Sequence, residues 1–336
     1  MSRKCNLKIL VSCIALVFLI SAYAIDSNAQ KITLTLASTA SLDRSIGVAS
    51  KEFKKNVEDR TQNRVSIQLA FGGVYGGDRE MVEQCQMGIL NMVWTSDIGY
   101  STVIKSVGFP AMPYLLETFE EVDKYYFNGF MGDEFKSRLL KGGIRLLSWG
   151  ENDFRELTNS KRPVKETKDL RGLKIRTPEF PLLMSFFRKL GAQVTPMAYT
   201  ELFTALQQGT VDGQDNGVSG TYYMRLHEVQ KYFTFTNHVY SATGIGISEK
   251  IWGSLPGDVQ KVISEEAAKA GIHQIKLTRE ETGDLIKKMK EAGVQFNDLS
   301  SDAKKDFRQA AKQVWKEAES IYGSELVNKI IGELKK

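Results

Sequence analysis

Ile32, Leu34 and Leu36 alternate with polar residues, Ile46, Ala49, Phe53 and Val57 recur three and four apart, and Val65, Ile67 and Leu69 alternate again. A period of two buries one face of a strand and a period near 3.6 one face of a helix, so this stretch predicts strand, helix, strand. Gly72-Gly-Val-Tyr-Gly-Gly77 then predicts a tight turn into a helix over 78–88, with Asp78 as its cap, followed by an apolar strand from Ile89 to Trp94. Helical spacing follows at 118–128 and 132–141, and Ile144 to Trp149 reads as another strand. After a polar stretch at 150–163 the alternation resumes: strands at 173–175, 193–195 and 211–213, helices at 182–190 and 199–208. Strands and helices that alternate along a chain indicate an α/β fold, here in two units separated near residue 150.

From Pro256 to Ala292 the pattern is helical almost without a break, interrupted only by Gly271 and Gly283, which a helix tolerates. A helix of that length outruns one small domain. Two amphipathic helices, 302–322 and 325–334, complete the chain.

Arg3, Lys4 and Lys8 precede an apolar run from Ile9 to Ala22 and the small residues of Ala22-Tyr-Ala24, the pattern of a secretory signal peptide over 1–24, with a second cut available after Ala29. The run is shorter than the ~20 residues a membrane span needs. Without the leader, the net charge of +5 falls to about +2 and Cys85 is the one remaining cysteine. It shares a helical face with Met81, Val82 and Ile89, which suits a small buried hydrophobe. Basic residues are scattered among acids, so no nucleic-acid partner is expected.

Catalytic chemistry has little to rest on. The three histidines, His227, His238 and His273, have no metal-ligand spacing, no Gly-x-Ser-x-Gly elbow is present, and the glycine turn lacks the Gly-Lys-Ser/Thr ending of a phosphate loop. No metal, cofactor or catalytic residue is expected. Binding chemistry is better placed. In Leu173-Lys-Ile-Arg176 apolar and basic residues alternate, and Pro178 stops the strand, leaving Arg176 at its carboxyl end. Strand ends of that kind face the ligand crevice of open α/β sheets, where a guanidinium fits a carboxylate with two parallel hydrogen bonds; an ordinary surface ion pair is the other reading. Asn216, flanked by Gly213 and Gly217, can donate and accept hydrogen bonds, or simply shape a turn.

Gly172-Leu-Lys-Ile-Arg-Thr-Pro178, Val194-Thr-Pro-Met-Ala-Tyr199 and Ala205-Leu-Gln-Gln-Gly-Thr-Val-Asp-Gly-Gln-Asp-Asn216 together resemble the substrate-binding proteins of tripartite ATP-independent periplasmic (TRAP) transporters. Asn152 to Pro163, His227 to Tyr232 and Thr236 to Tyr240 extend the resemblance over nearly the whole mature chain; Val194 and Gly217 stand where proline is usual. The resemblance implies a two-lobed, Venus-flytrap α/β architecture: lobe I over 31–151 and 241–280, lobe II over 152–240 and 281–336, with the long helix bracing both. It implies that Arg176 holds a substrate carboxylate, that Arg155 joins it, and that Asp78, Tyr199, Ser38 and Ser96 line the pocket. Tyr199 could equally be a packing tyrosine, and Trp94 and Trp149 could wall the cleft or fill the core. The implied protein is a monomeric periplasmic receptor that delivers a small organic acid to TRAP membrane subunits. Asp78 and the two serines favour a sugar acid, a hexuronate or aldonate, over a C4-dicarboxylate or 2-oxo acid. The same receptor could serve an ATP-driven importer; a secreted sugar-acid enzyme is the remote alternative.

Overall fold

The computed structural model describes residues 31–335, so the expected leader lies outside the described residues. Nine strands form one sheet in the order β2-β1-β3-β8-β4-β7-β5-β6, with β9 added on β8: β1 (Ile32–Ala37), β2 (Val65–Ala70), β3 (Met92–Ser96), β4 (Ile144–Asn159), β5 (Lys174–Thr177), β6 (Gln193–Pro196), β7 (Gly213–Asn216), β8 (Tyr232–Ser248) and β9 (Gln295–Asp298). The helices used below are α1 (Ser45–Arg60), α2 (Asp78–Met87), α3 (Asp97–Ser101), α4 (Phe130–Lys141), α5 (Pro181–Lys189), α6 (Leu202–Gln207), α7 (Val218–Tyr223), α8 (Glu249–Ser254), α9 (Gly257–Glu291), α10 (Ser301–Tyr322) and α11 (Ser324–Leu334).

Two parallel groups, β2-β1-β3 and β7-β5-β6, sit at opposite sides of the sheet. Between them β4 and β8, of 16 and 17 residues, run antiparallel through both lobes. One end of the pair is held by β3 (Ser96 opposite Thr243), the other by β7 (Glu156 opposite Asn216) and β9 (Tyr232 opposite Gln295). The polar run after residue 150, which reads as a connection between domains, is thus strand to Asn159. Glu151, Asn152, Asp153, Arg155 and Glu156 are all buried in it. The ladder shifts register between Leu146 and Ser148, Glu151 and Asp153, and Arg155 and Leu157, and Asp153 takes φ +82, the left-handed region. Such bulges bend a strand where pairing must continue.

α9 is a single helix of 35 residues, about 52 Å at 1.5 Å per residue. Val259, Ile263 and Ala267 pack with Leu36, Phe53, Trp94 and Ile247 in the first lobe; Leu285 and Met289 pack with Val218 and Phe233 in the second. Midway, buried Gln274 accepts from the Glu151 amide at 2.7 Å and donates to the Glu151 carbonyl at 2.8 Å, taking over the ladder bonds of the crossing strand. Arg279 donates to Glu151 at 2.8 Å and forks onto Asp123. Gly271 lies against this crossing: a Cβ there would sit 2.1 Å from the Trp149 carbonyl oxygen, whereas one on Gly283 would meet nothing within 4 Å. The two glycines that interrupt the helical pattern therefore differ, the first being required by close approach.

Other departures are local. The 118–128 helix is a turn at Phe119–Glu121 followed by a π-helical turn, Val122–Phe127. β3 begins at Met92, leaving Ile89 67 % exposed, so it does not share the buried face of Met81, Val82 and Cys85. α10 starts beside α5, but Tyr322 packs edge-on against Phe109 and Lys329 of α11 lies over the Phe130 ring. Trp149 belongs to an aromatic cluster with Tyr126, Phe127 and Phe135.

Two outcomes follow for stability. Gly271→Ala should destabilise by about 1–3 kcal/mol through overpacking against β4, while Gly283→Ala should stabilise by up to about 1 kcal/mol, in urea titrations of the two variants. Burial pushes the carboxyl of Asp153 up to about 7 and that of Glu156 up to about 8, in spite of the amides of Phe154, Thr236 and Asn237 that they accept. Both values lie above those of the unfolded chain, so their contribution to stability is complete below about pH 4 and is lost as pH rises through 7 to 8. The urea midpoint should therefore fall between about pH 4 and pH 8, and Glu156→Gln should flatten that fall; an equal slope in the variant would exclude Glu156 as its source.

Candidate functional site

The parallel strands of both lobes point their carboxyl ends at one cleft, about 600 Å³ of atom-free space open to solvent. One wall comes from β1, β3 and the starts of α1 and α2: Ser38, Thr39, Arg44, Asp78, Trp94, Thr95 and Ser96. Facing it are Asn152, Arg155, Arg176, Pro178, Tyr199 and Asn216. The seven residues singled out in the sequence all line this cleft.

Arg176 is the last residue but one of β5 and is 2 % exposed. Its Nε and Nη2 donate to the Met197 carbonyl at 3.0 and 2.7 Å, and among the described residues no carboxylate lies within 4.0 Å of it. Burial lowers its pKa to about 10, still leaving it protonated at neutral pH. Arg155 is more fully engaged. It donates Nε to Asp215 Oδ2 at 2.5 Å and Nη2 to the Asp215 carbonyl at 2.6 Å, and Asp215 Oδ2 lies 3.3 Å from Nε2 of buried His238. Burial by itself would raise the Asp215 carboxyl, but Arg155 and His238 outweigh it and hold the group well below the carboxylate range. Arg155 is thus a neutralised cation beside Arg176.

Asn216, at the end of β7, accepts the Gly217 amide at 3.0 Å through Oδ1, and its amide nitrogen has no protein partner among the described residues. Tyr199 donates to the Gly220 carbonyl at 2.9 Å, and burial raises its hydroxyl pKa. Asp78 is the first residue of α2; the cap is Gly77, whose amide Glu80 accepts at 2.9 Å. Freed from capping, the Asp78 carboxylate accepts from Thr95 at 2.8 Å and Thr39 at 3.2 Å, and burial raises its pKa against those bonds. Ser38 is spent on the backbone, donating to the Trp94 carbonyl at 2.8 Å and accepting from the Ala40 amide. Ser96 caps α3 by accepting from Gly99, which leaves its proton to donate. Trp94 both walls the cleft and packs in the first-lobe core, its indole donating to Thr243 at 3.0 Å.

Arg44 escaped the sequence reading. It sits at the cap position of α1, is buried, and donates Nε to Ser219 Oγ at 2.9 Å and Nη2 to Asn152 Oδ1 at 2.6 Å, reaching across to the opposite side. No pattern in Leu42-Asp-Arg-Ser-Ile46 marks it, because an arginine before an amphipathic helix is ordinarily exposed. With it the cleft is lined by three guanidinium groups and one carboxylate, Asp78. Among the described residues no group of three or more histidine, cysteine or carboxylate side chains could hold a metal. Three cations against one carboxylate give the cleft a charge complementary to an anion. The glycine turn before Asp78 touches the second lobe next to Tyr199: Gly72, Gly73 and Gly76 have positive φ, and a Cβ on Gly73 would lie 2.8 Å from Thr200.

Residues 36–321 match the family described as Bacterial extracellular solute-binding protein, family 7. The 2,3-diketo-L-gulonate-binding periplasmic protein of Escherichia coli K12 is 30 % identical over 260 residues, covering 77 % of this chain and 79 % of its own. Among solved structures, a TRAP periplasmic solute-binding protein from Polaromonas sp. JS666 bound to D-erythronate superposes with TM-score 0.84 at 33 % identity, covering 89 % of this chain and 98 % of that one. The sugar acid binding protein of Advenella mimigardefordensis in complex with galactonate gives TM-score 0.87 at 28 % identity, covering 91 % and 98 %. In fold and in sequence, the chain belongs to the family 7 extracellular solute-binding proteins, the receptors of TRAP transporters.

Proposed function

We propose that this receptor takes a small hydroxylated monocarboxylic acid, a sugar acid of the aldonate or hexuronate class. The observation that carries the reading is Arg176: a guanidinium buried near a strand end, facing the cleft, with a backbone carbonyl as its protein acceptor and, among the described residues, no carboxylate within 4.0 Å. A buried charge is costly unless paired, and the ligand carboxylate is the missing partner. The Asn216 amide and the unengaged edge of Arg155 complete the clamp. Charge balance supports one carboxylate: Asp215 offsets Arg155, Asp78 offsets a second cation, and a single positive charge is left. Asp78 and Ser96 suit hydroxyl groups on the tail, as do the erythronate and galactonate in the two similar structures. A C4-dicarboxylate is the second reading, favoured by the three guanidinium groups that line the cleft.

The leader exports the chain to the periplasm, where as a monomer it hands its ligand to the TRAP membrane subunits. The lobes divide where β4 and β8 shift register between Glu151 and Asp153, and bending there opens the cleft.

A thermal-shift series on the ligand-free protein tests the cargo. An acid present at a hundred times its Kd adds ~2.7 kcal/mol and should raise Tm by several degrees. Stabilisation by D-galactonate, D-erythronate or D-galacturonate, with none from succinate, is expected; stabilisation by succinate alone selects the second reading, and no response to any acid overturns both. In calorimetry Arg176→Ala should weaken binding about thirtyfold to several thousandfold, from the roughly 2–5 kcal/mol lost with one member of a buried charge pair. Arg176→Lys should recover part of it, because an ammonium lacks the planar fork. Wild-type affinity in the alanine variant would remove Arg176 from the clamp.

A further inference from the structure

We infer that Arg44 is a ligand-contacting residue that sets specificity for the tail of the acid, an inference that rests on the carboxylate-docking reading of Arg176. Arg44 is carried by the wall opposite Arg176, in front of α1, and lines the same cleft. It is almost fully buried, yet among the described residues no carboxylate lies within 4.0 Å of it. Both its protein acceptors are neutral oxygens, Ser219 Oγ on Nε and Asn152 Oδ1 on Nη2. These two bonds fix the plane of the guanidinium and leave Nη1 without a protein acceptor among the described residues. A charged donor group held rigid, desolvated and half satisfied gains most from an oxygen delivered by a ligand.

The rest of the site determines which oxygen that is. An acid whose carboxylate lies on Arg176 and Asn216 extends its other end toward the wall that carries Arg44 and Asp78. That wall offers a fixed donor in Arg44 and an acceptor in Asp78, whose Oδ1 already takes Thr39 and Thr95. A hydroxyl group accepts from the first and donates to the second, so the pair selects a polyhydroxylated tail over a bare alkyl chain. Specificity of this kind is steep, because a ligand lacking the hydroxyl leaves buried polar groups unpaired.

Calorimetry with D-galactonate, D-erythronate and glycolate, on wild type, Arg44→Gln, Arg44→Lys and Arg176→Ala, tests this. Arg44→Gln should lose about tenfold to a hundredfold in affinity for the two long acids and less than about threefold for glycolate, which has no tail to reach the opposite wall. Arg44→Lys, which keeps the charge without the fork, should fall between. Unliganded melting temperatures check that the variants fold, and Arg44→Lys serves if Arg44→Gln does not. Equal weakening for all three acids would give Arg44 a role in joining the walls and overturn the inference, as would wild-type affinities throughout. Arg176→Ala distinguishes the two levels: if it loses all three acids, the carboxylate reading stands whatever Arg44 does. If it binds them normally, or if wild type binds none, that reading falls and the inference with it.

Discussion

The ladder between β4 and β8 has to stay hydrogen-bonded while it passes from one lobe to the other, and that demand shapes most of what surrounds it. A strand pair buried on both sides is normally apolar, but here Glu151, Asn152, Asp153, Arg155 and Glu156 lie inside. Each is met by a specific partner. Gln274 takes the amide and carbonyl of Glu151, Arg279 takes its carboxylate, Asp215 takes Arg155, and the amides of Thr236 and Asn237 take Glu156. The long helix is therefore more than a brace of apolar contacts: its polar midpoint completes the strand exactly where the register shifts. Removing any one partner would leave a desolvated group, which costs more than a lost surface contact.

The same crossing explains what could be read from the sequence and what could not. Strands and helices with a half-buried face, β1, α1 and β2 among them, announce themselves by period because water lies on their other side. Asn152 to Asn159 has no such alternation, since both faces are buried and its polar residues are satisfied by distant side chains. It therefore looks like a connection. Gly271 looked like an interruption for a similar reason: its necessity comes from a carbonyl on β4, more than a hundred positions away in the chain. The path of the last helices, from α5 back to Phe130, depends on contacts that no local pattern encodes.

At the site, residues at the ends of short strands were legible because strand termini and prolines are local signals. Arg176 and Asn216 stand out in this way, and resemblance supplied Arg155, Tyr199, Ser38 and Ser96. Their individual bonding was not legible. Ser38 is consumed by the backbone, Asp78 is released from capping by Gly77, and Arg155 is neutralised by Asp215. Arg44 was invisible, since its burial is created by Ser219 and Asn152, which fold against it from far along the chain.

The glycine turn before Asp78 brings the first wall against the second. Where the walls meet there, the contact is between Gly73 and Thr200 and between Gly77 and Ala198, while Val74 points away and is 70 % exposed. A seam made of backbone and small side chains shuts tightly but removes little apolar surface from water, so it supplies little adhesion of its own. Touching of this kind aligns the two walls without gluing them, so the seam between Gly73 and Thr200 works as a spacer and the holding falls to the crossing strands and the long helix.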